Sequence, residues 1–125
     1  MNRSSSQLRI GVAGTGEVAR RNYLPFLAAQ PDIALACHNR TAEKAREAAR
    51  AVGAEACATL EELAAWKPDA VLVLTAETCR HEVGMALVQL GVPRLFFEKP
   101  LVAVHGQARG EENDFVLGRT LLEFA

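Results

Sequence analysis

Hydrophobic and polar positions alternate at the start of the chain and then change period. Leu8, Ile10 and Val12 recur every second residue and stop at Gly14, the pattern of a short strand running into a glycine turn. A helical run follows, from Val18 to Gln30, with Val18, Tyr23, Leu24 and Leu27 available to one side. Pro25 lies inside it, so a bent or broken first helix is predicted. Pro31-Asp32 marks a turn, and Ile33 to Cys37 reads as a second strand. Thr41 is placed to cap a helix from about Ala42 to Val52, and Gly53 to end it. Ala56 to Ala58 makes a minimal third strand. Thr59-Leu60-Glu61-Glu62 has the spacing of a capping box, opening a short helix towards Trp66 that Pro68 stops. Ala70 to Leu74 is a continuous apolar run, as in a strand covered on both faces. Thr78 is the predicted cap of the next helix, which carries Val83, Leu87 and Leu90 and ends at Gly91. Leu95-Phe96-Phe97 reads as one more buried strand. Leu101 to Gly110 is mostly loop, and Glu111 to Ala125 reads as an amphipathic helix with Phe115, Leu121 and Leu122 inward and Gly118 weakening it.

Strands alternate with helices throughout. That rhythm predicts an α/β fold, a doubly wound parallel sheet in the order 3-2-1-4-5 with helices on both faces. The 125 residues suffice for one domain with a real core. Met1 to Gln7, polar and with three serines, reads as a disordered leader, leaving 8–125 as the domain.

The turn after the first strand holds the first candidate chemistry. Gly14-Thr15-Gly16-Glu17-Val18-Ala19 is G-x-G-x-x-A, set between a strand and a helix. The first glycine permits a tight turn. The second lets backbone approach a pyrophosphate, and the small third residue lets the helix pack close. Free N–H groups at the helix start then hold the anion. Gly14, Thr15, Gly16, Glu17 and Val18 are therefore candidate cofactor contacts. A ribose-reading residue is expected about 20 positions beyond the loop. An acid there favours NAD, but this chain offers His38-Asn39-Arg40-Thr41. With no carboxylate to repel a 2′-phosphate, and with Asn39, Arg40 and Thr41 as donors, NADP(H) is the expected cofactor and NAD the alternative.

Charge and cysteines narrow the partners. Fifteen acidic and fourteen basic residues nearly cancel, which gives no electrostatic reason to expect nucleic acid or a membrane surface. Cys37, Cys57 and Cys79 form no C-x-x-C, so neither zinc nor a disulfide framework is suggested. Reduced thiols and the lack of a signal-like apolar run point to the cytoplasm.

Glu98-Lys99-Pro100 sharpens the picture. A strand-1 glycine loop, a G-V-P turn and a strand ending in E-K-P resemble the Gfo/Idh/MocA family, the NAD(P)-dependent oxidoreductases of the glucose–fructose oxidoreductase and inositol dehydrogenase type. The similarity runs from Leu8 to the C-terminus and implies a Rossmann domain. It also implies hydride transfer between the cofactor and a sugar or polyol-like substrate. Lys99 matches the family lysine beside the nicotinamide and the substrate hydroxyl, with Glu98 next to it; a cation there stabilises developing alkoxide charge. His81 falls where the family often has a histidine, but reads first as a helix-cap residue with no chemistry. The family's T-P is Thr75-Ala76 here, and the following segment is one residue longer. Thr75 remains a candidate for the cofactor's neighbourhood. The family's second domain, with its acid/base histidine, is not in this sequence. The chain is thus expected to work when completed by that domain or by a second polypeptide, and to be inactive alone. The alternative is a standalone dinucleotide-binding module. A methyltransferase also uses a glycine loop after strand 1, but would want an acid after strand 2 and gives E-K-P no role. Apolar surface left near Lys99 makes self-association a further expectation.

Overall fold

A computed structural model describes residues 7–98. Within them, β1 (Leu8–Ala13), β2 (Ile33–His38), β3 (Glu55–Cys57), β4 (Ala70–Val73) and β5 (Leu95–Phe97) build one sheet. The helices α1 (Leu24–Ala28), α2 (Ala42–Val52), α3 (Leu60–Ala65) and α4 (Arg80–Gln89) connect them. The strand order is β3-β2-β1-β4-β5 and every ladder is parallel, as the βα rhythm predicts. The order reverses beside β1, which pairs with β2 from Leu8↔Ile33 to Ala13↔His38 and with β4 from Ile10↔Ala70 to Ala13↔Val73. Connections leave β1 and β4 towards opposite faces, so a crevice opens beyond their carboxyl ends.

The two-residue period of the strands divides the core into two layers. Ile10, Val12, Leu35, Cys37 and Leu74 lie under Ala19, Leu24, Ala48 and Ala49 on one face. Ala13, Ala36, Val71 and Val73 lie under Leu63 and Leu87 on the other. Gly11 is what lets α3 settle close: a Cβ there would stand 3.0 Å from Leu63 Cδ1 and 3.1 Å from Val71 Cγ2. At the amino end of the sheet Arg9 sits 4.0 Å over the Trp66 ring, and its backbone N–H donates to Asp69 Oδ2 at 2.8 Å. This anchors α3 at the end away from the crevice.

Local chemistry explains where the elements depart from their predicted bounds. The first helix opens at Glu17 and widens into a π-helical turn over Ala19–Tyr23 before α1. Pro25 has no N–H to continue the normal ladder, and the wide turn, in which Leu24 N–H reaches back to the Ala19 carbonyl, absorbs the break. β2 extends through His38, and β3 begins one residue early, at Glu55, to pair with Ala36. Thr41 takes the N-cap position of α2, but its side chain makes no capping bond. Thr59 does cap, accepting from Glu62 N–H at 3.0 Å while Glu62 Oε1 accepts from Ala58 N–H at 2.9 Å. Thr78 does not cap α4. It lies in a 3₁₀ turn, Glu77–Cys79, and Cys79 holds the N-cap position without a side-chain bond. β5 is not fully buried either: among the described residues it pairs only with β4, and Phe96 is 46% exposed. Lys99, the predicted loop at 101–110, the predicted helix at 111–125 and residues 1–6 of the leader lie outside the described residues.

Candidate dinucleotide site

The glycine loop is stapled to both neighbouring strands. Gly14 N–H donates to the His38 carbonyl at 2.7 Å, and Leu74 N–H donates to the Ala13 carbonyl at 2.8 Å. Gly14 has φ +104°, and a Cβ on it would meet the Thr75 nitrogen at 2.6 Å. Only glycine satisfies both conditions. Gly16 is the reverse case, since a Cβ there would meet nothing within 4 Å. Open space at the second glycine, directly before a helix start, is what an approaching pyrophosphate requires. The first helical hydrogen bond runs from Arg20 N–H to the Gly16 carbonyl at 3.0 Å. Glu17 turns outward and pairs with Arg21 at 2.8 Å, and Val18 is 46% exposed.

The end of β2 reaches the same loop. Asn39 Oδ1 accepts from Thr15 N–H at 3.0 Å, and Asn39 Nδ2 donates to the Thr41 carbonyl at 3.4 Å. A backbone N–H can only donate and a carbonyl can only accept, so these two bonds fix the amide's orientation. His38 turns the other way, and its Nδ1–H donates to the Cys57 carbonyl at 3.2 Å. Arg40 is exposed, with Nη2 3.9 Å from Glu82 Oε1 on α4, a pair that solvent leaves weak.

The far side of the crevice is built from the ends of β4 and β5. Among the described residues, Thr75 Oγ1 is buried without a hydrogen-bond partner, as are Thr15 Oγ1 and His81 Nε2. Buried hydroxyls of this kind are costly unless something satisfies them, and two of the three flank Gly14. Arg80, the first residue of α4, is only 6% exposed. Its Nε donates to the Thr75 carbonyl at 3.0 Å and its Nη1 to the Glu98 carbonyl at 2.7 Å. Glu98 Oε2 accepts from the Tyr23 hydroxyl. That bond, then burial, pushes the Tyr23 phenol above its usual range.

Of the predicted site residues, Gly14, Thr15, Gly16, Asn39 and Thr75 converge at the strand ends. Arg40 and Thr41 border them, and Glu98 closes the β5 side. Glu17 and Val18 are on the first helical turn with outward side chains. His81 lies on the first turn of α4 without acting as a cap. Sequence reading missed Arg80, whose only signal was a lone cation among predicted helix residues. It also missed the Thr15–Asn39 bond and the partnership of Tyr23 with Glu98. A cavity of about 410 Å³ begins at Thr15 and Gly16 and runs down between α1 and α2, with Leu24, Ala48 and Val52 on its wall and Arg20 and Lys44 at its rim. Among the described residues, no group of three or more His, Cys, Asp and Glu could hold a metal ion, and no helix is long and apolar enough to cross a membrane.

A glycine loop at the reversal of a parallel sheet, with space at its second glycine and unsatisfied hydroxyls around it, defines a dinucleotide-binding domain. The family model for the Gfo/Idh/MocA oxidoreductase family, NAD-binding Rossmann fold, matches residues 8–110. The chain belongs to that family. No functionally curated protein matches it significantly. Among solved structures it is similar to a Gfo/Idh/MocA family oxidoreductase from Vibrio cholerae, with TM-score 0.79, 27% identity, and 95% of this chain covered. It is also similar to UDP-N-acetylglucosamine 3-dehydrogenase from Acidithiobacillus ferrooxidans, with TM-score 0.76, 25% identity and 95% coverage. A 3-ketoreductase from Actinomadura kijaniata, in complex with NADP and TDP-benzene, aligns with TM-score 0.69, 27% identity and 92% coverage. The chain spans 35% of the length of each of these three.

Proposed function

We propose that this chain is the cofactor-binding part of a cytoplasmic oxidoreductase that moves hydride between NADP(H) and a sugar or polyol-like substrate. A further domain or a second polypeptide completes its pocket. The observation that carries the cofactor choice is the acid-free end of β2, where Asn39 is held with its nitrogen away from the glycine loop. In this reading Gly16 and the helix start bind the pyrophosphate, and Asn39 Nδ2, Thr41 and Arg40 hold the 2′-phosphate. Thr75 and Glu98 border the nicotinamide end. The nicotinamide, when bound, supplies the hydride chemistry. Lys99 supplies the proton chemistry: its Nζ–H hydrogen-bonds the reacting oxygen and steadies alkoxide charge there. Substrate held against that lysine needs a second wall, so the 125-residue polypeptide alone is expected to bind cofactor weakly and to turn over no sugar.

Titration of the chain with NADPH and NADH tests this reading. NADPH is expected to bind more tightly, and Arg40→Ala to lose about tenfold in NADPH affinity, the worth of one charge-assisted hydrogen bond. Equal or tighter NADH binding, or an Arg40→Ala variant with undiminished NADPH affinity, overturns the NADP assignment.

A further inference from the structure

Three elements that are far apart in sequence meet at Glu98. Tyr23 comes from the π-helical turn that follows the glycine loop. Arg80 opens α4, and Glu98 directly follows β5. The Tyr23 hydroxyl donates to the Glu98 carboxylate, and Arg80 Nη1 donates to the Glu98 carbonyl at 2.7 Å. Arg80 Nε holds the Thr75 carbonyl at 3.0 Å, so one guanidinium ties the end of β4 to the end of β5. The planar fork of arginine suits such a two-point grip. Removing its charge from water carries a penalty that the surrounding bonds must offset. Here that buried charge serves two strand-end carbonyls at the crevice.

We propose that Glu98 is a positioning residue: with Tyr23 and Arg80 it locks the end of β5, directly before Lys99 in sequence, to the helix carrying the glycine loop. This rests on the reading of Lys99 given above. The logic is one of spacing. In that reading the loop fixes the pyrophosphate end of a cofactor and Lys99 addresses the other end; the loop follows β1 and Glu98 follows β5, two strands separated by β4. Backbone pairing through β4 sets their distance only coarsely. A side-chain brace across the top of β4 sets it directly, and near-attack geometry tolerates little slack. The Phe96 ring, 6.4 Å from that of Tyr23, steadies the phenol against β5. The π-helical turn fits this picture, because such turns occur frequently at functional sites. Glu98 in this account carries no proton for the reaction; its carboxylate is an acceptor for Tyr23.

The chain has one tyrosine, so phenolate absorbance reports Tyr23 alone. In the native chain Tyr23 is expected to ionise above the ordinary tyrosine range, and in Glu98→Gln to return towards it. Amide hydrogen exchange at Phe97 and Glu98 is expected to quicken about tenfold in Tyr23→Phe, a variant that removes one hydroxyl and keeps the ring. In nucleotide titrations Tyr23→Phe is expected to weaken NADPH several-fold and to leave 2′,5′-ADP unchanged, since that fragment ends at the loop. The brace is overturned if Glu98→Gln leaves the tyrosine titration where it was. It is equally overturned if exchange at Phe97 and Glu98 does not change, or if both nucleotides weaken alike. If the native chain binds neither nucleotide, the cofactor reading fails, while the titration and the exchange still decide the brace.

Discussion

Gly14 and Asn39 show how much of the site hangs on single atoms. At Gly14 two demands coincide, a φ of +104° and a backbone nitrogen 2.6 Å from where a side chain would begin. Gly14→Ala is therefore expected to cost roughly 2 kcal/mol or more, because conformational strain adds to a contact with backbone that cannot step aside. Urea unfolding checks it, and a variant as stable as the parent would contradict the geometry. Asn39 acts through polarity. An aspartate in its place keeps the bond from Thr15 N–H but sets a carboxylate oxygen where Nδ2 now stands. Asn39→Asp is expected to move the NADPH-to-NADH affinity ratio about tenfold towards NADH, with a small drop in thermal midpoint because the bond from Nδ2 to the Thr41 carbonyl is lost. A ratio that stays put would remove Asn39 from the specificity determinants.

Among the elements, α3 is the shortest path from sequence to energy. Thr59 caps it and Leu63, fully buried, plugs it onto β1 over Gly11. Thr59→Ala is expected to cost about 1 kcal/mol and Leu63→Ala about 3 kcal/mol, both read as lower urea midpoints with an unchanged slope. The capping box was legible because cap and partner lie three residues apart. The apolar run at Ala70–Leu74, the glycine stop at Gly53 and the strand ending at Gly14 were legible for the same reason: each is a local pattern. Pro25 announced a break in the first helix but not its form, since a kink, a gap and a π-helical turn all satisfy a missing N–H. Arg80 and Tyr23 were illegible as site residues because their partners stand 18 and 75 positions away. Thr78 misled because a hydroxyl before a helical run is a good cap only if the backbone enters extended, and a 3₁₀ turn occupies that entry. Phe96 misled because an apolar triplet does not reveal how many neighbours its strand has.

The described residues fold around one sheet, so a charge created at its centre is felt across both core layers. Cys37 is fully buried on β2, between α2 and the sheet. Burial, and then the neighbouring Cys57, push its thiol up to about 11. Burial also raises Cys57, with Glu62 and Glu55 adding to it. In the unfolded chain both thiols lose their protons near the ordinary cysteine range, well before the folded protein releases them. Above that range the unfolded state binds fewer protons than the native one, so stability falls as pH rises. The contribution of Cys37 is thus whole below about pH 8.5 and is lost progressively towards pH 11, amounting to about 2–3 kcal/mol. The raised Tyr23 phenol acts in the same direction at the alkaline end of that window. Urea unfolding under reducing conditions at pH 8 and pH 10.5 is expected to show the native chain losing stability between the two. Cys37→Ala is expected to begin less stable, because a cavity opens under α2, and to lose distinctly less over the same interval, with Cys57 and Tyr23 supplying the remainder. Equal losses in the two proteins would show that the Cys37 thiol is not the group being titrated.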